Sequence, residues 1–159
     1  MIRKKILLIG DFNVGKTSLI KRYVDNAFDD KYLTTIGVKI SKKGVQLGED
    51  TYELHIWDLE GATPQKPIPR VYYNGASGAI FVGDISRQET INNINSHMEV
   101  YHEVNPKGSY VIAYNKSDLL TPEQRKAFVK PEDIFLTSAK DDLNVNAMFR
   151  VLAKKIFHD

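Results

Sequence analysis

The sequence predicts an α/β fold on a mostly parallel sheet. Three observations predict it: short apolar runs rich in β-branched residues, segments of helical period between them, and a glycine-flanked loop joining the first run to the first helix. Ile6–Ile9, Ala79–Val82, Tyr110–Ala113 and Ile134–Leu136 are near-continuous apolar runs, the pattern of strands buried on both faces. The loop leads into a helix from Thr17 to about Asp25. Between Val38 and Asp58 the pattern changes to two strands around the turn signal Gly48-Glu49-Asp50, with Tyr52, Leu54 and Ile56 alternating on one face. That hairpin adds an antiparallel edge strand, and Lys39, Lys42 and Lys43 read as charges that discourage edge-to-edge pairing. Ser86 and Glu89 read as a capping box opening a helix whose Ile91, Ile94, Met98 and Tyr101 share one face. A last helix, capped by Asn144, carries the stripe Val145, Met148, Phe149, Leu152 and Ile156. The chain contains no internal repeat, low-complexity tract or linker, so residues 1–159 are expected to form one domain.

Composition narrows the function classes. Lys plus Arg number 22 against 20 Asp plus Glu, a net charge of +2, and so small a surplus points to no nucleic-acid partner. There is no cysteine, which excludes disulfides, thiolate catalysis, cysteine zinc sites and a prenylated C-terminal box. A cytoplasmic chain without a direct membrane anchor is expected. The four histidines are scattered, with no metal-binding spacing among them.

Gly10-Asp11-Phe12-Asn13-Val14-Gly15-Lys16-Thr17 matches G-x-x-x-x-G-K-[ST], between a buried strand and a helix as a phosphate-binding loop requires. Glycines at both ends let successive backbone N–H groups turn inward, and the helix opening with Thr17 and Ser18 aims its positive end at the same anion. In this reading Asp11, Asn13, Val14, Gly15 and Ser18 line the phosphates. Lys16 reaches the β- and γ-phosphates, and the Thr17 hydroxyl ligates Mg²⁺. Asn115-Lys116-Ser117-Asp118 follows the Tyr110–Ala113 strand at the carboxyl edge of the sheet, where such sheets bind ligands. The Asp118 carboxylate can accept from both N1–H and the 2-amino group of guanine, a pair that adenine does not offer. Lys116 packs its stem over the base or ribose, and Asn115 ties this loop to the phosphate loop. Ser138-Ala139-Lys140, after the last strand, is placed to give a backbone N–H to the guanine carbonyl. An N-K-x-D string alone is more often a polar turn. Here its place relative to the other two segments carries the argument.

With these motifs the chain resembles the Ras-superfamily small GTPases along essentially its whole length. Thr35-Ile36-Gly37-Val38 and Tyr72-Tyr73-Asn74-Gly75-Ala76-Ser77-Gly78-Ala79-Ile80 resemble the Rab branch in particular. The resemblance implies a G domain of six strands with helices on both faces, binding GTP or GDP with Mg²⁺. It implies that Thr35 contacts Mg²⁺ and the γ-phosphate, that Asp58 holds the metal through water, and that Gly61 senses the γ-phosphate through its N–H. Lys16, Thr35 and Gly61 then serve the reaction. Thr17, Thr35 and Asp58 form the metal set. Phe28 matches an aromatic that covers the guanine edge, the alternative being a core aromatic ending the first helix. The resemblance implies that effector proteins read switch I, ending at Thr35-Ile36-Gly37-Val38, and switch II, which contains Gly61 and Ala62, with an exchange factor and an activating protein as further partners.

The departures concern hydrolysis and surfaces. Relatives place a water-orienting glutamine after the switch II glycine, whereas this chain has Ala62; Phe12 stands where relatives keep a small residue. Turnover at or below roughly 10⁻⁴ s⁻¹ is therefore expected. A GTP-loaded interaction module with negligible hydrolysis is the alternative, and a P-loop ATPase or small-molecule kinase is disfavoured by Asp118. Pro64, Pro67 and Pro69 predict an irregular or shortened second helix, and the short span from Asp118 to Ser138 a reduced fourth helix around Pro122–Phe128.

Overall fold

The structure, a computed structural model, describes residues 1–26, 28, 38–59, 68–128 and 130–157. Six strands form one sheet: β1 (Arg3–Gly10), β2 (Val38–Leu47), β3 (Asp50–Leu59), β4 (Ala76–Asp84), β5 (Ser109–Asn115) and β6 (Ile134–Leu136), in the order β2-β3-β1-β4-β5-β6. All neighbours pair in parallel except β2 and β3, which form the expected antiparallel hairpin with β2 at the edge. The helices are α1 (Lys16–Asp25), α2 (Gln88–Asn92), α3 (Ile94–Val104), α4 (Pro122–Ala127) and α5 (Val145–Phe157).

The strand alternation decides which helices cover which face. Ile6 and Leu8 point to one side of β1 and pack with Ile80, Val82, Val111 and Ala113 against α1 and α5. Leu7 and Ile9 point to the other and pack with Ala79 and Phe81 against Ile94 and Tyr101 of α3. Both sides of β1 are thus buried from Ile6 to Ile9, which is why that stretch runs apolar without alternation. In β2 and β3, by contrast, buried and more exposed residues alternate.

The predicted stripe of α5 holds: Val145, Met148, Phe149 and Leu152 are buried, Ile156 is partly so, and Phe149 stacks on Tyr23 of α1 at 3.9 Å. Asn144 stands at the start of α5, where its carbonyl accepts from Met148 N–H and its side-chain amide donates to the Leu136 carbonyl at 2.8 Å. Residues 122–127 form the reduced α4, with Thr121 and Gln124 as its capping box. Trp57 is partly buried against the α3-side core, with Lys5 Nζ 3.7 Å above its ring.

The expected Ser86–Glu89 capping box does not form. The first cap is Arg87, and the Ser86 hydroxyl donates to Asp84 Oδ1 at 2.6 Å instead. Thr90 does the local work: its Oγ1 accepts from Asp84 N–H at 2.8 Å and bonds the Arg87 carbonyl at 2.7 Å. A buried carboxylate two residues upstream is a stronger acceptor than an orphan N–H is a donor, so Ser86 turns backward. The helix with the Ile91, Ile94, Met98 and Tyr101 face is also divided, into α2 and α3 meeting at Asn93, although all four residues join one core. Pro64 and Pro67 of the expected second helix lie outside the described residues; Arg70–Tyr73 is a 3-10 turn. Among the described residues, no helix is long and apolar enough to cross a membrane.

Candidate functional site

The carboxyl ends of β1, β3, β4 and β5 bring together the loops that the motifs singled out. Residues 11–15 connect β1 to α1, and both fixed glycines of the loop have a steric reason. A Cβ on Gly10 would sit 2.3 Å from the Val82 carbonyl oxygen, and Gly15 has φ +100° with Asn115 Nδ2 2.3 Å from where its Cβ would be. The loop is pressed between β4 and the Asn115–Asp118 segment, leaving no space for a side chain at either position.

Lys16 is buried, and its ammonium donates to the Gly10 and Asp11 carbonyls, both at 3.1 Å. The charge therefore lies over the loop that the motif assigns to phosphate. Thr17 Oγ1 donates to Asp58 Oδ2 at 2.6 Å, joining the first turn of α1 to the buried end of β3. A hydroxyl and a carboxylate oxygen are the hard donors that Mg²⁺ prefers, so this pair fits the ion. Ser18 lies in the same first turn. Val14 is fully buried and offers only its backbone.

Asp11 differs from its neighbours. Its carboxylate accepts from Asn93 Nδ2 at 2.7 Å and lies 2.8 Å from His97 Nε2, so the side chain is committed to α3. What remains for an anion is the Asp11 backbone, because the carboxylate is engaged by Asn93 and His97.

The N-K-x-D segment Asn115–Asp118 is held from below. Asn115 donates to the Val14 carbonyl at 3.0 Å and accepts from the Thr137 hydroxyl at 3.0 Å, bridging the phosphate loop to the end of β6. Asp118 sits in the 3-10 turn Ser117–Leu119, where Oδ1 accepts from the Ser138 hydroxyl at 2.8 Å. Ser138 Oγ in turn accepts from Asp141 N–H at 2.9 Å. The Lys116 ammonium donates to the Asn13 carbonyl at 2.9 Å and pairs with Asp84 Oδ2 at 3.1 Å. Phosphate loop, N-K-x-D segment and Ser138-Ala139-Lys140 are one hydrogen-bonded assembly.

The comparisons with known proteins agree with this geometry. The family model described as "Ras family" matches residues 5–158. This chain belongs to the Ras family. It is 38% identical over 159 residues to Ras-related protein SEC4 of Saccharomyces cerevisiae, covering 96% of this chain and 74% of that protein. GTP-binding protein YPTM2 of Zea mays is 37% identical over 96% of this chain and 79% of its own length. Ras-related protein RABD1 of Arabidopsis thaliana is 36% identical over 96% of this chain and 78% of its own length. Within the Ras family, the resemblance is to the Rab-like branch.

Several residues of this Ras-family site carry no signal in the motifs. Asp84 is 2% exposed; burial alone would raise its carboxyl, but hydrogen bonds from the Ser86 hydroxyl and N–H, with the Lys116 ammonium, hold it below the ordinary value. A carboxylate closing the buried Ala79–Val82 strand at the sheet's carboxyl edge is the clue that could have found it. Arg87 donates to the Phe12 carbonyl at 3.2 Å and the Asn13 carbonyl at 3.2 Å. Arg87, His97 and Thr137 sit in no recognisable pattern, since their partners are distant in sequence.

Phe28 is partly buried and packs against the α1/α5 core, which accommodates the core-aromatic reading alongside the guanine-edge one. Phe12 is 43% exposed at the lip of the phosphate loop. Thr35, Gly61 and Ala62 lie outside the described residues.

Proposed function

We propose that this Ras-family protein is a guanine-nucleotide switch, binding GTP and GDP with Mg²⁺. The observation that carries the reading is the Asp118 carboxylate held by Ser138 in a segment that Asn115 and Lys116 bolt to the phosphate loop. A fixed carboxylate suits the paired N–H donors of guanine. The nearby phosphate loop suits the other end of the same ligand. Lys16, Thr17, Asp58 and the backbone of residues 11–15 serve the phosphates and metal, and Ser138, Ala139 and Lys140 complete the base site. Thr17 and Asp58 would hold Mg²⁺, which would supply neutralising charge for the phosphates. Thr35 and Gly61 are the residues we assign to γ-phosphate sensing, so that switch I and switch II present one surface to effectors with GTP and another with GDP. Displacement of a fluorescent GDP analogue tests this: GTP and GDP should compete, and ATP should not compete at equal concentration. Equal competition by ATP would remove the guanine assignment.

We further propose that hydrolysis is slow, at or below roughly 10⁻⁴ s⁻¹ without partners. Ala62 has no group to orient water, and the exposed Phe12 ring stands at the loop lip where an arginine finger would enter. A protein that stays loaded with GTP and acts through binding alone is the limiting case. Single-turnover assays should give a small gain for Ala62→Gln, and a gain beyond the sum of the single effects when it is combined with Phe12→Gly. A parent rate well above about 10⁻³ s⁻¹, fast for an unaided site, would show that another group positions the water.

A further inference from the structure

We propose that Arg22, on α1, is a positioning residue for guanine recognition, acting through the Ala139–Lys140 backbone on the group that reads the base 6-oxo oxygen. The inference rests on the guanine reading above and deepens it. Arg22 lies outside every motif in the chain. Yet its guanidinium donates through Nε to the Ala139 carbonyl at 2.8 Å and through Nη2 to the Lys140 carbonyl at 3.1 Å. Its remaining nitrogen reaches the Asn26 carbonyl at 3.4 Å, at the left-handed residue that ends α1. One planar fork thus spans two successive carbonyls of a loop more than a hundred residues away in sequence.

Fixing those carbonyls fixes what lies opposite them. In a trans peptide N–H and C=O lie in one plane and point in opposite directions, so holding the Ala139 carbonyl on the α1 side turns the Lys140 N–H away from it. The preceding peptide is set independently, because the Ser138 carbonyl accepts from Leu143 N–H at 2.9 Å and Ser138 N–H donates back to Leu143 at 3.1 Å. The following peptide is set from both sides, by Arg22 on the Lys140 carbonyl and by Asp141 N–H on Ser138 Oγ. Ser138 is the shared piece. The same hydroxyl that orders the Asp141 peptide donates to Asp118, so the backbone donors and the carboxylate are held in one frame. Guanine offers its 6-oxo group as an acceptor, and the Ala139–Lys140 N–H groups are the donors this frame sets beside Asp118. Arg22 also lies on the helix that begins with Lys16 and Thr17, so a single rigid element supports both the phosphate end and the base end of the site.

The test compares GDP with 6-thio-GDP, in which sulfur, a weak acceptor, replaces the 6-oxo oxygen while the donors facing Asp118 remain. Dissociation constants are measured by displacement for the parent, Arg22→Ala and Arg22→Lys. Losing two charge-assisted bonds that hold the loop should weaken GDP about tenfold in Arg22→Ala and 6-thio-GDP by no more than about threefold, so the preference for GDP narrows. Arg22→Lys, whose single ammonium cannot span both carbonyls, should fall between the two, and it carries the test if the alanine variant does not fold. An equal loss for both nucleotides would assign Arg22 a merely structural role and overturn the inference, as would no loss for either. A parent that takes ADP as readily as GDP would overturn the guanine reading itself; a GDP-selective parent with an unchanged GDP preference in both variants would overturn only the role of Arg22.

Discussion

The loop Gly10–Thr17 and the segment Asn115–Asp118, which we assign to opposite ends of one nucleotide, are built by opposite means. The phosphate loop depends on backbone: Gly10 and Gly15 allow a path that a Cβ would block, and the groups offered are main-chain N–H donors with one lysine over them. The base segment depends on side chains that arrive from elsewhere. Asn115 is held by Thr137, Asp118 by Ser138, and Lys116 by Asp84. A backbone device is written in consecutive residues, and a side-chain device is written across the chain. The first tolerates few substitutions within its eight residues; the second should fail gradually, according to which distant partner is removed.

The largest effect should come from the residue that joins the two. Asn115→Ala leaves the buried Val14 carbonyl and Thr137 hydroxyl without their amide, at roughly 1–3 kcal/mol for each unsatisfied group. A total loss of about 3 kcal/mol in urea denaturation is expected. A loss below about 1 kcal/mol would mean that the two loops do not depend on this bridge.

Asp84→Asn should cost less, about 1–2 kcal/mol, because its partner Lys116 is 29% exposed and water screens the pair. The pH dependence has a definite sign. The folded carboxyl lies below its ordinary value of 3.8, so its contribution is complete above that pH and fades as pH falls through the lower folded value. Parent and variant should therefore converge in stability in acid, below about pH 3.8, and differ at neutral pH. Denaturation midpoints across pH 2–7 on the usual carboxylate scale check this; a gap that widens in acid would contradict the assignment.

Ser138→Ala should give the smallest effect, and one confined to the ligand. Removing the hydroxyl frees one Asp118 oxygen and the Asp141 N–H, which predicts a drop in GDP affinity of about fivefold, near 1 kcal/mol. Stability should change little, because Asp118 is only half-buried and water can replace the bond. A large fall in stability with unaltered affinity would make Ser138 a structural residue only.

What was legible in the sequence follows the same division. The buried strands, the β2–β3 hairpin, the α5 stripe and the phosphate loop are each local patterns of apolar spacing or glycine, and each appears where those patterns place it. The Ser86–Glu89 pair was a local pattern too, but Asp84 drew the serine away, and nothing local announced that Asp84 would be buried. Asp11 reads as a phosphate-loop residue, and its carboxylate turns to Asn93 and His97 because α3 packs beside the loop. Arg22 and Thr137 were invisible for the same reason: a lone arginine on a helix and a lone threonine after a strand acquire meaning only when the sheet order is known.

The most direct test of the central claim, that Asp118 reads guanine, is a titration of Asp118→Asn with GDP and with XDP. The variant's amide N–H₂ faces the 2-amino donor of guanine, so at best one of the two contacts survives, whereas xanthine presents a carbonyl there. The account predicts that GDP affinity falls by roughly a hundredfold and that XDP becomes the preferred nucleotide. A variant that keeps parental GDP affinity and still rejects XDP would contradict it.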